Sequence, residues 1–198
     1  MDSCIGIVGK DFVLMAVDGN SGRGVITVRN DFNKIYPVQG NRLLTIIGEG
    51  NDRQVLADFV QRNIALNYYR NGLKSTTQSI AHWIRRQVSD SLREGGYQCS
   101  MLLGGVDEKP ELFMIDQFGT LVPETYASHG IGSNFVYALL DKNWHSGMEF
   151  EEALELMKKC IKEIQKRVIV SSSHYCIEVC YKDKTELIQG PEVFPPVN

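Results

Sequence analysis

The order in which hydrophobic periodicity changes along this chain constrains its fold more than any single motif. Apolar residues run in short extended stretches at the start, recur at helical spacing through two long segments, return to short stretches, turn helical twice more and end extended. Strands that come in blocks separated by pairs of helices pack as antiparallel sheets with the helices segregated outside them. Strictly alternating strand and helix would instead predict a parallel sheet. The expected class is therefore α+β, in a single domain over residues 1–198. No linker, repeat or low-complexity stretch interrupts the chain, and 43% hydrophobic residues supply a substantial core.

Cys4 to Val8 and Phe12 to Val17 read as a hairpin around Lys10-Asp11. Further strands are expected at Val25 to Val28 and Leu43 to Ile47. A helix then runs from Asn51 to the stop signal Asn71-Gly72, with Val55, Phe59, Ile64 and Leu66 as its apolar positions. Ser75 opens a second helix carrying Ile80, Trp83, Ile84, Val88 and Leu92. Gln98 to Val106, Leu112 to Ile115 and Thr120 to Val122 return to strand. Ser133 is the expected N-cap of a helix through Leu140. Met148 to Val168 is helical, with Glu149, Glu151 and Glu152 early and Lys162, Lys166 and Arg167 late, as the helix macrodipole favours. Tyr175 to Tyr181 and Thr185 to Ile188 close the sheets. Beyond them a proline-rich tail, residues 189–198, is expected to lie extended on a neighbouring molecule.

Several classes of function are excluded. A formal charge of -3 with no long single-sign block argues against nucleic acid as a partner. The absence of a long apolar run or a basic leader argues against a membrane, so a soluble intracellular protein is expected. Cys4, Cys99, Cys160, Cys176 and Cys180 lack Cys-x-x-Cys spacing and are expected to be reduced and buried. No His pair at metal spacing and no nucleophile elbow is present, so neither a metal site nor any other cofactor is expected. The glycines from Gly19 to Gly24 lack the Gly-Lys-Ser/Thr ending of a phosphate loop and read as a turn. Trp144-His145 suits an interface patch or a partly buried loop equally.

The informative constellation is Asp18, Lys34 and Gly48, each at the end of an early strand and grouped around the N-terminus. Cys4-Ile5-Gly6-Ile7-Val8-Gly9-Lys10-Asp11-Phe12-Val13-Leu14-Met15-Ala16-Val17-Asp18 resembles the first hairpin of proteasome beta subunits of the eukaryotic 20S core. The likeness continues through Asn33-Lys34-Ile35, Ile46-Ile47-Gly48-Glu49-Gly50-Asn51-Asp52, Met101 to Asp107 and Leu112 to Gly119. Each motif is weak alone, but their order and separations together are specific.

The resemblance implies the N-terminal-nucleophile hydrolase fold, a four-layer αββα sandwich of two antiparallel sheets flanked by helices. It also implies that the residue four before Gly6 would be the nucleophilic threonine of an active subunit; here it is Asp2. A carboxylate cannot replace the attacking hydroxyl. Asp18 and Lys34 match the family's aspartate and lysine, and Gly48 the glycine whose N–H steadies the oxyanion. Ile131 and Val168 stand where active subunits carry serine and aspartate. Ser171 keeps a matching serine, with Ser172 in place of the following glycine.

The short start ahead of Asp2 leaves no room for a long propeptide and, with the general pattern, looks most like the non-catalytic beta type two branch at the fourth ring position. The expected function is then structural: supporting assembly and walling the chamber in which neighbouring active subunits degrade proteins, ubiquitin-dependently or not. Expected partners are beta subunits of the same and the opposed ring, alpha subunits, assembly chaperones and substrate proteins, in cytoplasm and nucleus. The alternative is a peptidase activated by processing to Ser3 or Cys4.

Overall fold

The computed structural model of the chain describes residues 2–23, 26–169 and 171–193. Strands β1 (Ser3–Val8) and β2 (Phe12–Asp18) form the expected hairpin, with Cys4 opposite Val17 and Val8 opposite Val13. Every residue of β2 is buried, as a central strand covered on both faces must be. A small ribbon of β3 (Ser21–Arg23) and β4 (Ile26–Arg29) follows, with Ile26 and Val28 exposed. Next come β5 (Ile35–Val38) and β6 (Arg42–Gly48), then helices α1 (Gly50–Asn71) and α2 (Thr77–Ser91). Strands β7 (Cys99–Val106), β8 (Pro110–Ile115), β9 (Leu121–Glu124) and β10 (Tyr126–Gly130) lead to helices α3 (Ser133–Asn143) and α4 (Phe150–Arg167). β11 (His174–Tyr181) and β12 (Thr185–Val193) finish the described chain.

These strands build two antiparallel five-stranded sheets, ordered β10-β1-β2-β11-β12 and β5-β6-β7-β8-β9. Three apolar clusters show the layers. Ile5, Ile7, Leu14 and Ile177 of the first sheet meet Leu140, Met157, Ile161 and Ile164 of α3 and α4. Leu44, Ile46, Met101 and Phe113 of the second meet Leu56, Val60, Ile80 and Ile84 of α1 and α2. Val13, Met15, Leu43 and Leu102 fill the space between the sheets. The result is the expected α+β αββα sandwich. Close approach of the sheets depends on Gly104, where a Cβ would come within 2.8 Å of Val13 Cγ1.

The structure corrects several expectations. Of the four apolar residues read as the packing face of α1, only Ile64 is buried. Val55, Phe59 and Leu66 lie on the outer side, while Arg53, Leu56, Ala57, Val60 and Ile64 face the sheet. Apolar residues surround this helix, so spacing alone did not distinguish its two sides. Ser75 does not start α2; Thr76 is the N-cap, and its side chain accepts from the Ser79 N–H. Ser133 is the first residue of α3 rather than its cap, and its hydroxyl donates to the Gly130 carbonyl. α4 opens with a capping box between Glu149 and Glu152. Residues 189–193 of the expected tail continue β12 instead of leaving the domain, with Val193 opposite His174 and Glu192 opposite Tyr175. Phe194 and the rest lie outside the described residues. Trp144 is partly buried and donates from Nε1 to the Val8 carbonyl at 2.9 Å, which makes it a packing residue.

Candidate functional site

Four strand ends converge between the sheets. β1 begins and β2 ends side by side in the first sheet, and β6 ends in the second. Lys34 immediately precedes β5, its carbonyl accepting from the Ile46 N–H. This topology brings together Asp2, Asp18, Lys34 and Gly48, the four residues the resemblance grouped. Lys34 is fully buried, and its Nζ lies 2.8 Å from Asp18 Oδ1 and 3.0 Å from Asp2 Oδ1. Asp18 Oδ2 accepts the Ser3 N–H, and Asp18 Oδ1 also accepts the Asn20 N–H. Asp18 therefore ties the start of β1 to the end of β2.

Burial pushes the Asp18 carboxyl up. The Lys34 ammonium pulls it down, and the Asp2 carboxylate pushes it up again. The net direction is above the ordinary carboxylate range.

Asp2 fills the centre of the site. Its Oδ2 accepts the Gly48 N–H at 3.1 Å and lies 3.2 Å from Arg53 Nη1, so both carboxylate oxygens are engaged and the side chain is only 12% exposed. Gly48 has φ 130°, and a Cβ there would sit 2.2 Å from the Gln98 carbonyl oxygen, so its glycine identity is set by the backbone. The same holds for Gly130, φ 88°, where a Cβ would meet the Asp2 carbonyl oxygen at 2.0 Å.

Arg53 is the residue that sequence reasoning missed. A base in the first turn of a helix opposes the helix dipole and so calls for an anion nearby. That signal was present in the sequence, and Asp2 is the anion.

β1 alternates faces, and this decides what its other residues can reach. Asp2, Cys4 and Gly6 face the second sheet. Ser3 faces α3 and α4, where its Oγ accepts the Gly132 N–H at 3.1 Å. The Ser3 hydroxyl is thus on the opposite side of the strand from Lys34. Cys4 is on the near side but lies inside the core between the sheets, and burial pushes its thiol up to about 12. Of the other positions the resemblance singled out, Val168 ends α4, Ser171 Oγ donates to the Gln165 carbonyl at 3.4 Å and Ser172 Oγ to the His174 carbonyl at 2.8 Å. Ile131 is exposed on the turn before α3. Among the described residues no cluster of His, Cys, Asp or Glu could hold a metal ion, and no helix is long and apolar enough to cross a membrane.

Residues 2–180 match the family described as Proteasome subunit. The chain is 32% identical to Proteasome subunit beta type-2-A of Arabidopsis thaliana, over 92% of this chain and 91% of that protein. It is 30% identical to Proteasome subunit beta type-4 of Saccharomyces cerevisiae, over 92% and 94% of the two chains. It is also 33% identical to Probable proteasome subunit beta type-4 of Meyerozyma guilliermondii, over 96% of this chain and all of that one. With the paired five-stranded sheets and the Asp-Lys-Gly geometry at their end, these matches place the chain in the proteasome subunit family, as a beta subunit of the 20S proteasome.

Proposed function

We propose that this chain is a structural beta subunit without hydrolytic activity of its own, serving assembly and the wall of the chamber in which its neighbours cut proteins. The observation that carries this reading is the Asp2 carboxylate, which occupies the Gly48 N–H at the position the family resemblance assigns to the threonine of an active subunit. Nucleophilic attack needs a hydroxyl or thiol near a base, and an oxyanion needs a free donor. Asp2 supplies no hydroxyl and takes the donor. Processing to Ser3 would leave a hydroxyl on the wrong face of β1, and processing to Cys4 a buried, protonated thiol.

Family membership makes other proteasome subunits its partners. Beyond that, the fourth ring position, contacts with an alpha ring and the opposed beta ring, assembly chaperones, and residence in cytoplasm and nucleus extend the same reading. Asp18 and Lys34 persist in it as a strut between β2 and the second sheet.

Intact particles treated with an electrophilic peptide that acylates N-terminal nucleophiles test the proposal. The mass of this chain should stay unchanged while active neighbours gain the probe. An adduct on this chain overturns it.

A further inference from the structure

Asp18, Lys34, Asp2 and Arg53 form a row of alternating charge. Remove the Asp2 side chain, and among the described residues Asp18 is the one carboxylate still paired with Lys34 or Arg53, leaving one net positive charge in the space the carboxylate held. Three donors converge on that space: Lys34 Nζ on one oxygen, and the Gly48 N–H and Arg53 Nη1 on the other, at 3.0, 3.1 and 3.2 Å. Donors that divide between two oxygens recognise a carboxylate as a unit, as backbone and arginine donors do at peptide termini. Arg53 is held for this task. Its side chain is 6% exposed, and its guanidinium lies 5.1 Å over the Phe32 ring with the Tyr36 hydroxyl beside it. None of the three donors needs Asp2 for its own placement: Lys34 is anchored on Asp18, Gly48 by β6 and Arg53 by α1.

We propose that Lys34, Arg53 and the Gly48 N–H form a carboxylate-binding site, that Asp2 is its tethered occupant, and that this occupancy keeps the C-terminal carboxylates of peptides out. The inference rests on the structural reading above, in which residue 2 is not a nucleophile. Its chemistry suits the setting, because every peptide bond cut in the chamber creates a new C-terminal carboxylate. A tethered ligand competes at an effective concentration of about millimolar or more, which product peptides do not readily match.

The test uses assembled particles carrying Asp2→Ala in this subunit, with formate as the probe and formamide as its neutral counterpart. Formate at about ten times its Kd should raise the subunit's unfolding midpoint by about 3 °C. Formamide should not, and wild-type particles should respond to neither. Asp2→Asn, which fills the space without charge, should show no formate response. Adding Arg53→Met to Asp2→Ala should abolish it. Should the alanine chain fail to enter particles, assembly in vitro is repeated in formate and in formamide; assembly that depends on formate supports the site. An equal response in wild type, a response to formamide as large as to formate, or failure of assembly regardless of formate overturns it. None of these readouts is hydrolysis. Missing rescue would leave the structural reading standing, and a nucleophile adduct would sink that reading without touching the rescue.

Discussion

Strand β6 has a buried base–aspartate cluster at each end, and the two clusters differ in what their donors meet. At its start, Arg42 reaches Asp107, the Thr77 hydroxyl and the Gln39 carbonyl, while Asp107 accepts the Thr77 N–H at the opening of α2. Three of these partners are fixed parts of the backbone or of one helix start, so the cluster is a clamp with one possible occupant. At the end of β6, the ion pairs of Lys34 and Arg53 among the described residues are with two carboxylates, one of them borne by residue 2 at the beginning of a strand. A clamp is recognised by donors that close on the fold itself. A former or latent site is recognised by donors that converge on a side chain which could be exchanged for a ligand.

Substitution of the bases separates the two clusters most strongly. Lys34→Met leaves Asp2 and Asp18 buried together without their cation and should lower unfolding stability by about 3–5 kcal/mol. Arg42→Met should lower it less, by about 1–3 kcal/mol, because Asp107 is partly exposed and keeps the Thr77 N–H. Denaturant midpoints of the purified chain measure both, and equal losses would erase the distinction. Gly48→Ala should come next, at about 1–3 kcal/mol, since it strains the backbone against Gln98 and disturbs the Asp2 contact.

Acid should act on the two ends with opposite sign. Asp18 is raised in the folded chain, so its contribution is fully present below the ordinary value of 3.8 and is lost as pH climbs through the folded value. Asp107 is lowered: burial pushes it up, but the Thr77 N–H and hydroxyl and the Arg42 charge outweigh that. Its contribution is present above 3.8 and disappears as pH falls through the folded value. Asp107→Asn should therefore flatten the loss of stability in acid, and Asp18→Asn should steepen it, as seen in unfolding midpoints followed across the acid range.

Each end also has its own thiol. Cys4 feels the charge of Lys34 and Cys180 that of Arg42, and burial pushes both up to about 12. At about pH 8 a thiol reagent should modify neither in the folded protein. Losing the neighbouring cation raises each thiol further, so any gain in reactivity must come from opened packing: Lys34→Met should speed modification of Cys4 more than of Cys180, and Arg42→Met the reverse, as read by peptide mass. The exposed Lys10–Glu149 pair belongs to neither cluster, and Lys10→Ala should leave the unfolding midpoint where it was.

The main strands and helices of the fold were legible because their cause is periodic, whereas the four layers came from the resemblance. β2, β7 and α4 carry long apolar patterns, and Glu149 with Glu152 marks a helix start by chemistry alone. β5 escaped notice because Pro37 interrupts its four residues, which suits an edge strand but hides it. β10 escaped because Ser128 and His129 give it no alternating apolar face. At the site, Asp18, Lys34 and Gly48 could be grouped from resemblance. The place of the Asp2 oxygens could not, since it depends on Arg53 approaching from a helix that the spacing had turned the wrong way. The outward row of Val55, Phe59 and Leu66 on α1 mimics a packing face, and only the sheet beneath decides which side is which.

The alternation of β1 has one further consequence. Asp2 and Ser3 differ in reach because of where the count begins, not because of what they are. Gain of a single codon between residue 3 and Gly6 would shift the preceding residues back by one place, set the serine hydroxyl where the Asp2 carboxylate stands beside Lys34 and turn the aspartate away. Which side chain meets Lys34 is thus written in the reading of odd and even along one strand, a form of information that a residue-by-residue comparison of side chains would pass over.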